Sequence, residues 1–313
     1  MHNKGIRMRV VIMGSGGVGG YVGARLQAAG AELAFVARGA HLAALQRDGL
    51  HLESPSGPLH LPQVQASDDP ASLGTADLVL FCVKLWDTEA AAQQIAPLLG
   101  PHSRVVTLQN GIDSVALISR HLPPAQVLGG AIYLSAYIRA AGVIATPGGL
   151  HRLVVDADAG NPLLVELAQA CSRATALDIT LTPSVQTTLW EKFVVLTAIS
   201  GSTALLRSTM GPILGNEQTH VFLRQLIDET LTVAAAAGHA LPPGFADAAM
   251  GRIAAMPHNF RASMAEDLDN GRRLELPWLS GRVHGLGLEL GVPTPGHSAV
   301  YRALLLHAQG RTA

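Results

Sequence analysis

The 313-residue chain is 48% hydrophobic and 14% charged, and its 22 basic and 23 acidic side chains give a formal net charge of −1. This balance excludes the basic field that attracts nucleic acid or anionic membranes, so a small molecule is the expected partner. The length exceeds what one hydrophobic core usually organises, and two domains are therefore expected.

The N-terminus and the cysteines indicate a cytoplasmic protein. Residues 1–8 lead into the first apolar run without the apolar core of a signal peptide, and no later run approaches the roughly 18 apolar residues of a membrane span. Cys82 and Cys171 are too few and too far apart for a disulfide framework or a cysteine metal site. The 13 histidines show no metal-binding spacing, and we interpret them as surface or core residues.

A glycine loop follows the first apolar run, residues 10–13. Gly14, Gly16 and Gly19 have the spacing G-x-G-x-x-G, and an amphipathic segment then runs to Gly30. In a strand–loop–helix unit these glycines allow a tight turn, close approach of the backbone to a pyrophosphate, and close packing of helix on strand. The free N–H groups at the start of the helix would face the phosphates. This stretch therefore predicts a dinucleotide-binding site.

Short β-type runs alternate with helical patterns through the first half of the chain, which is typical of a parallel sheet covered on both faces. The expected strands are residues 10–13, 33–37, 77–83, 105–108, 127–132, 143–145, 153–155 and 179–181, and the expected helices are residues 18–29, 40–48, 88–99, 112–121 and 162–175. Residues 50–53 and 59–61 flank a Ser/Pro/Gly turn and predict a small inserted hairpin. Residues 1–183 are thus expected to form a Rossmann-type domain with a doubly wound parallel sheet.

Residues 184–313 are expected to form an all-α domain for substrate and catalysis. Beyond Pro183 the β pattern disappears, and Ala/Leu-rich segments alternate with Gly and Pro. The expected helices are residues 185–206, 217–237 after an Asn216 cap, 245–256, 259–270, 277–290 and 296–309. The first is apolar nearly all round and is expected to be central. A nicotinamide and its substrate are expected to meet in a cleft between the domains.

Arg38 bears on which cofactor binds. NAD-binding units of this type place an acidic residue about 20 residues past the glycines, at the end of the second strand, where it binds the ribose 2′-hydroxyl. Here that strand ends with Arg38 close behind it, whereas Glu32 lies at its start. An arginine would pair with a 2′-phosphate that a carboxylate would repel, so NADPH is the favoured cofactor. The alternative is that Arg38 is an ordinary solvated charge.

Lys192 is the residue that we favour for chemistry. At helical spacing it shares a face with mostly apolar residues, namely Leu189, Leu196, Ile199, Ser200 and Thr203. A desolvated lysine has a lowered pKa, which suits proton donation near neutral pH. The alternative is a lysine whose stem packs on the helix while its ammonium reaches water.

Several motifs succeed one another along nearly the whole chain: the glycine loop, Val-Ala-Arg-Gly at 36–39, Val-Lys at 83–84, Gln-Asn-Gly at 109–111, Trp-Glu-Lys at 190–192, and Ser263-Met264…Asp267…Gly271-Arg272…Glu275. In this order they resemble the 2-dehydropantoate 2-reductase (ketopantoate reductase) family. The lysine motif and the late string are more specific than the glycine loop. The resemblance implies a Rossmann domain followed by a helical domain like that of 6-phosphogluconate dehydrogenase, and reduction of ketopantoate with NADPH.

The resemblance also implies roles for individual residues. Lys192 matches the proton donor, Asn110 would bridge cofactor and substrate, and Glu275 would help place the cofactor and the lysine, so these three form the implied catalytic set. The implied cofactor-binding residues are Gly14, Ser15, Gly16, Gly17, Val18, Gly19, Arg38, Lys84, Asn110, Ala136 and Glu275. The implied substrate-binding residues are Asn110, Lys192, Ser200 and Ser263. Lys84, Asn110, Ser263 and Glu275 also have ordinary alternatives as loop, helix-turn or surface residues.

The chain departs from the family pattern at the substrate side. Leu196 and Ser200 stand where the family has asparagines one and two turns beyond the lysine, and Met210 replaces a third asparagine. Ser280 replaces the asparagine of a late Asn-Gly pair, and Pro277 stands where an acid is usual. An amide discriminates strongly for a substrate hydroxyl or carbonyl, whereas a leucine cannot. The substrate end of the pocket is therefore expected to be more apolar than a ketopantoate site.

Other functions stay open at this point. The chain could be a paralogue that reduces a more apolar 2-oxo acid, or a cofactor-binding sensor without catalysis, although a sensor would need only the contacts of the first domain. A 3-hydroxy-acid or 6-phosphogluconate-type dehydrogenase shares the two-domain layout but not the late Ser…Glu string. The oligomeric state is also open, with a homodimer among the options.

Overall fold

The computed structural model describes residues 8–311, and the chain divides into two units, Met1–Val185 and Gln186–Ala313. Residues 1–7, for which the sequence predicts a direct lead into the first strand, lie outside the described residues. Within residues 8–311, no helix combines the length and the apolar character needed to cross a membrane.

The first unit contains two sheets. Its strands are β1 Arg9–Met13, β2 Glu32–Val36, β3 Leu50–Glu53, β4 Leu59–Leu61, β5 Gln65–Ser67, β6 Ala76–Phe81, β7 Leu99–Thr107, β8 Val127–Tyr133, β9 Tyr137–Ala140, β10 Val143–Ala145, β11 Arg152–Asp156 and β12 Asp178–Thr182. Its helices are α1 Gly17–Ala28, α2 Gly39–Asp48, α3 Thr88–Ile95, α4 Ser114–Ile118 and α5 Pro162–Arg173. The larger sheet has the order β12-β11-β8-β7-β6-β1-β2-β5. Every neighbouring pair in it is parallel except β8 with β11.

The central strands are buried on both faces, as their uninterrupted apolar runs predict. Val10 and Ile12 of β1 pack in one core with α1, whereas Val11 and Met13 pack in a second core with α3. Alternate residues of one strand thus face opposite layers of helix. The predicted α/β class, with a Rossmann-type sheet followed by an all-α C-terminal part, is confirmed.

The predicted hairpin is confirmed as the antiparallel pair β3 and β4. It belongs to a second sheet with the order β4-β3-β10-β9. Strands β5 and β9 were not predicted, and β9 shows why: all four of its residues, Tyr137–Ala140, are exposed, so no apolar alternation marks it. Arg139 of β9 pairs with Glu53 of β3, across the intervening strand β10.

Two helix boundaries differ from the prediction, and a proline accounts for one of them. The helix expected over 88–99 ends at Ile95, because Pro97 cannot continue the α-helical hydrogen bonding and residues Ala96–Leu98 form a 3₁₀ turn. The helix expected from Pro277 begins only at Ser280, after a 3₁₀ turn over Leu276–Trp278.

The second unit is helical. Its helices are α6 Val185–Leu205, α7 Met210–Gly215, α8 Glu217–Ala236, α9 Phe245–Ala254, α10 Ser263–Asp269, α11 Ser280–Leu290 and α12 Pro295–Leu304. The side chain of Asn216 caps α8, as predicted, by accepting from the N–H groups of Gln218 and Thr219 at 3.1 and 3.2 Å. Helix α7 was not predicted. Helix α10 is shorter than expected, because the carbonyl groups of His258 and Phe260 instead accept from the first N–H groups of α7, those of Gly211 and Met210.

Gly17 at the start of α1 lies against the loop between β8 and β9. A Cβ atom at Gly17 would stand 2.1 Å from the carbonyl oxygen of Ala136, whereas a Cβ at Gly16 would meet nothing within 4 Å. The main chain around residue 136 therefore requires a glycine at position 17 but not at position 16.

We expect Gly17→Ala to lower the free energy of unfolding by about 1–3 kcal/mol, because the new methyl group collides with a backbone carbonyl. Gly16→Ala is the matched control and should change stability by less than about 0.5 kcal/mol. Urea unfolding followed by circular dichroism measures both. Equal stabilities of the two variants would show that the residue 136 loop yields freely and would contradict the close packing.

Candidate active site

The glycine loop is built by contacts that leave no room for side chains. Gly14 has a φ of +96°, and a Cβ atom there would lie 2.8 Å from Val83. A Cβ at Gly19 would lie 2.1 Å from the carbonyl oxygen of Gly14, so the helix packs directly on the turn. Position 16, by contrast, is open. The loop thus offers its backbone to a ligand on the side of Gly16, as a pyrophosphate site requires.

The start of α1 offers hydrogen-bond donors at the same place. The first N–H groups of an α-helix have no acceptor inside the helix, and the helix dipole favours an anion beside them. Gly16 precedes α1 in extended conformation and has no side chain to cap it, and Val18 in the first turn is half-buried. Ser15 is not such a donor through its side chain, because its hydroxyl donates to the carbonyl oxygen of Val36 at 2.9 Å. Ser15 therefore shapes the loop.

Arg38 is exposed and stands at the start of α2, directly beyond β2. Its guanidinium lies 3.5 Å from the amide oxygen of Gln94. Glu32 is the first residue of β2, and its carboxylate pairs with Arg9 at 3.5 Å. Glu32 therefore lies at the opposite end of the strand, roughly 13 Å from Val36, the last residue of β2. The carboxyl end of β2 therefore carries a positive charge, as the sequence predicts.

His41, on the first turn of α2, is a neighbour of this loop that the sequence analysis missed. Its Nδ1 atom accepts from the N–H group of Gly142 at 3.1 Å, so the ring proton lies on Nε2. Nε2 is buried, and the ring lies beside the main chain of Ser15. Burial lowers the pKa of His41, which keeps the ring neutral. The one feature of the sequence that could have pointed to His41 is its place in the first turn of the helix that follows Arg38.

Two further predicted residues follow neighbouring parallel strands. Lys84 lies beyond β6 and is exposed, with its Nζ atom 5.7 Å from the centre of the Trp86 ring. Asn110 lies beyond β7 and is half-buried. Strands β7, β6, β1 and β2 are neighbours and all parallel, so their carboxyl ends lie at one edge of the sheet. The residues that follow these strands therefore share that edge: Asn110, Lys84, the glycine loop and Arg38, in the same order. Ala136 reaches this edge through its carbonyl group, against Gly17.

In the second unit, Lys192 and Glu275 are close enough to affect each other's charge. Lys192 is half-buried on α6, and desolvation lowers the pKa of its ammonium group to about 8, while the negative charge of Glu275 opposes this shift. Glu275 is only 6% exposed, so the alternative of an exposed surface charge is wrong. An ammonium group with a pKa near 8 is mostly protonated at pH 7 and is a far better acid than an ordinary lysine.

The face of α6 around Lys192 is apolar. Leu189 and Ile199 are each 6% exposed, and Leu196 is half-buried. Thr203 donates its hydroxyl to the carbonyl oxygen of Ile199 at 2.6 Å, so this polar group is already satisfied within the helix. The surroundings of the lysine therefore provide the desolvation that lowers its pKa.

The remaining substrate-side residues differ in accessibility. Ser263 is exposed at the first position of α10, where a ligand can reach its hydroxyl. Ser200 is 1% exposed, and Met210 and Ser280 are fully buried. Among the positions at which the chain departs from the family asparagines, Leu196 is thus the accessible one.

Comparison with known proteins agrees with this arrangement. The family model described as ketopantoate reductase PanE/ApbA matches residues 10–157, and that of its C-terminal domain matches residues 184–308. The chain is 30% identical to a 2-dehydropantoate 2-reductase of Mesorhizobium japonicum, over 94% of this chain and 95% of the relative. It is 31% identical to that of Halobacterium salinarum, over 88% of this chain and 91% of the relative.

Solved structures show the same likeness. A PanE/ApbA family ketopantoate reductase from Ralstonia eutropha superposes with a TM-score of 0.88 at 31% identity, covering 96% of this chain and 98% of the other. D-mandelate dehydrogenase, solved with NADH and anilino(oxo)acetate, shares the fold with a TM-score of 0.87 at 19% identity, over 96% of this chain and 98% of the other. The chain therefore belongs to the ketopantoate reductase family and is an oxidoreductase.

Proposed function

We propose that this oxidoreductase uses NADPH to reduce a 2-oxo acid, with 2-dehydropantoate as its first candidate substrate and Lys192 as the proton donor. The observation that carries the proposal is the half-buried ammonium of Lys192, whose pKa of about 8 suits a general acid at neutral pH. The match to 2-dehydropantoate 2-reductases over most of the chain supports the substrate class.

The reaction needs a hydride and a proton. A reduced nicotinamide held by the first unit would supply the hydride for the carbonyl carbon of the substrate. Lys192 gives its proton to the carbonyl oxygen, and the amide of Asn110 donates a hydrogen bond that stabilises the negative charge developing there. Glu275 keeps the pKa of Lys192 from falling further, so the lysine still holds its proton at neutral pH.

The first unit fits a phosphorylated dinucleotide. The open backbone at Gly16 and the start of α1 suit a pyrophosphate, and Lys84 adds a positive charge at the same sheet edge. Arg38, at the end of β2, supports NADPH over NADH, because guanidinium binds a phosphate through charge-assisted hydrogen bonds.

A second candidate substrate class follows from Leu196. This accessible leucine lies one turn beyond Lys192 and cannot hydrogen-bond a hydroxyl group. Ketopantoate carries a terminal hydroxyl, and leaving it unpaired costs about 1–3 kcal/mol. A 2-oxo acid with a plain branched alkyl group avoids this cost.

Replacing Lys192 should remove the acid while sparing the cofactor site. We expect Lys192→Ala to lower kcat roughly 100-fold or more, with the affinity for NADPH nearly unchanged. Lys192→Arg is the matched variant: it keeps the positive charge, but the far higher pKa of a guanidinium group makes it a poor acid. Steady-state kinetics and fluorescence titration with NADPH measure the two effects.

The pH profile gives an independent check. Because the active form of Lys192 is protonated, the wild-type rate should fall as the pH rises above about 8. The chain has three lysines, Lys4, Lys84 and Lys192, so NMR of lysine-labelled protein can follow each ammonium separately. An active Lys192→Ala enzyme with an unchanged pH profile would disprove the assignment.

Arg38→Ala should separate the two nicotinamide cofactors. We expect the affinity for NADPH to fall by about 1.5–3 kcal/mol, as for one charge-assisted hydrogen bond, and the affinity for NADH to change little. Arg47→Ala is the control, since Arg47 is an exposed arginine of the same helix that pairs with Asp48. Equal losses for both cofactors in Arg38→Ala would show that Arg38 does not bind the 2′-phosphate.

Leu196→Asn tests the substrate class. We compare kcat/KM for ketopantoate with that for its deoxy analogue, 2-oxo-3,3-dimethylbutanoate, in wild type and variant. On the second candidate class, the wild type favours the deoxy analogue, and the variant shifts the ratio toward ketopantoate by roughly 5- to 100-fold, because an amide restores the hydrogen bond to the hydroxyl.

Leu196→Met is the control for this comparison, since it keeps an apolar side chain of similar volume. A strong wild-type preference for ketopantoate that survives in Leu196→Asn would show that other residues bind the hydroxyl.

A further inference from the structure

Gln109, the residue before Asn110, forms a buried link between two strand ends. Its side chain is 6% exposed, and its Nε2 atom donates to the carbonyl oxygen of Val83 and to the hydroxyl of Thr88, both at 2.9 Å. Gln109 follows β7, whereas Val83 lies in the connection from β6 to α3 and Thr88 is the first residue of α3. One amide group thus holds the ends of two parallel strands together.

The hydrogen bonds fix the orientation of this amide. The hydroxyl of Thr88 donates to the carbonyl oxygen of Leu85 at 2.7 Å, so it accepts from Gln109 through a lone pair. The carbonyl oxygen of Val83 also accepts only. Both N–H groups of the amide are therefore used, and Thr88 itself is 1% exposed. Hydrogen bonds shielded from water in this way are strong and costly to break.

The link lies beside residues that the proposed function requires. Val83 precedes Lys84, and a Cβ atom at Gly14 would stand 2.8 Å from the Val83 backbone nitrogen, so the glycine loop packs against the residue whose carbonyl group accepts from Gln109. Gln109 precedes Asn110. The amide of Gln109 is thus bonded to the residue before Lys84, and Gln109 is itself the residue before Asn110.

We propose that Gln109 is a positioning residue that holds Lys84 and Asn110 in the geometry needed for cofactor binding and hydride transfer. This inference rests on the proposed function for the roles of Lys84 and Asn110. Gln109 itself acts only through the main chain on either side, because its donor atoms are engaged by Val83 and Thr88.

Gln109→Met tests the proposal, because methionine has a similar length and no donor. We expect the Kd for NADPH to rise about tenfold and kcat to fall about tenfold, since small misplacements of binding groups are costly. Ser103→Ala is the matched control. Ser103 is 4% exposed on the same strand β7, and its hydroxyl donates to the carbonyl oxygen of Ala76 in β6 at 2.6 Å, at the opposite end of the strand pair.

The control should lose stability in urea as Gln109→Met does, but should keep the wild-type Kd and kcat. The double variant Gln109→Met/Lys84→Ala should raise the Kd for NADPH by less than the product of the two single fold-changes. The reason is that both substitutions weaken the same contact, that of Lys84 with the cofactor. Fold-changes that multiply fully in the double variant would overturn the proposal. So would a Gln109→Met protein that is less stable but keeps the wild-type Kd for NADPH and the wild-type kcat.

Amide hydrogen exchange tests the positioning role of Gln109 independently of the proposed function. Gln109→Met should speed exchange in residues 82–88, and Ser103→Ala should not. A wild-type chain that binds neither NADPH nor NADH overturns the proposed function, while faster exchange at 82–88 would still support the positioning role of Gln109. Unchanged exchange there would overturn that role whether or not the cofactor binds.

Discussion

The parallel pairing of β1 with β2 and β6 is the constraint on which the proposed cofactor-binding edge of the sheet depends. In its register Met13 is level with Val36 on one side and with Phe81 on the other, and Phe81 is level with Thr107. The four strands therefore end side by side, followed by Gly14, Arg38, Lys84 and Asn110. A slip of one residue would turn every side chain of a strand to the other face, and the separate cores on the two faces of β1 oppose it.

Burying Lys192 has a cost for the stability of the helical unit. Burial lowers the pKa of Lys192 from its usual 10.5 to about 8, so between these pH values the unfolded chain binds more protons than the folded protein. Stability must then rise with pH across this window, as the buried ammonium loses its charge. The negative charge of Glu275 reduces this cost and favours the protonated form of Lys192. If Lys192 is the proposed proton donor, its burial is thus a compromise between folding and catalysis.

Local patterns predicted much of this molecule, and contacts between distant residues account for the rest. The glycine loop, Arg38 and the apolar face around Lys192 follow from spacing within one or two turns or strands. The hydrogen bond from Gly142 to His41 joins residues 101 positions apart, and no local sequence pattern predicts a bond between them. The same holds for Gln109 and Val83, and for the burial of Glu275. Strand β9 escaped prediction because exposure removes the alternation that marks a strand.

That exposed strand has a consequence for handling the protein. Tyr137–Ala140 form an edge of the smaller sheet, and an edge strand presents unpaired backbone groups that can join a strand of another molecule. The side chains of Tyr137 and Ile138 are 51% and 45% exposed, and these apolar surfaces favour pairing with a strand of another molecule. Arg139, held by Glu53 of β3, places a positive charge on this edge strand. Charge at an edge strand opposes intermolecular sheet growth, so Arg139 helps to protect a concentrated solution of the protein against aggregation.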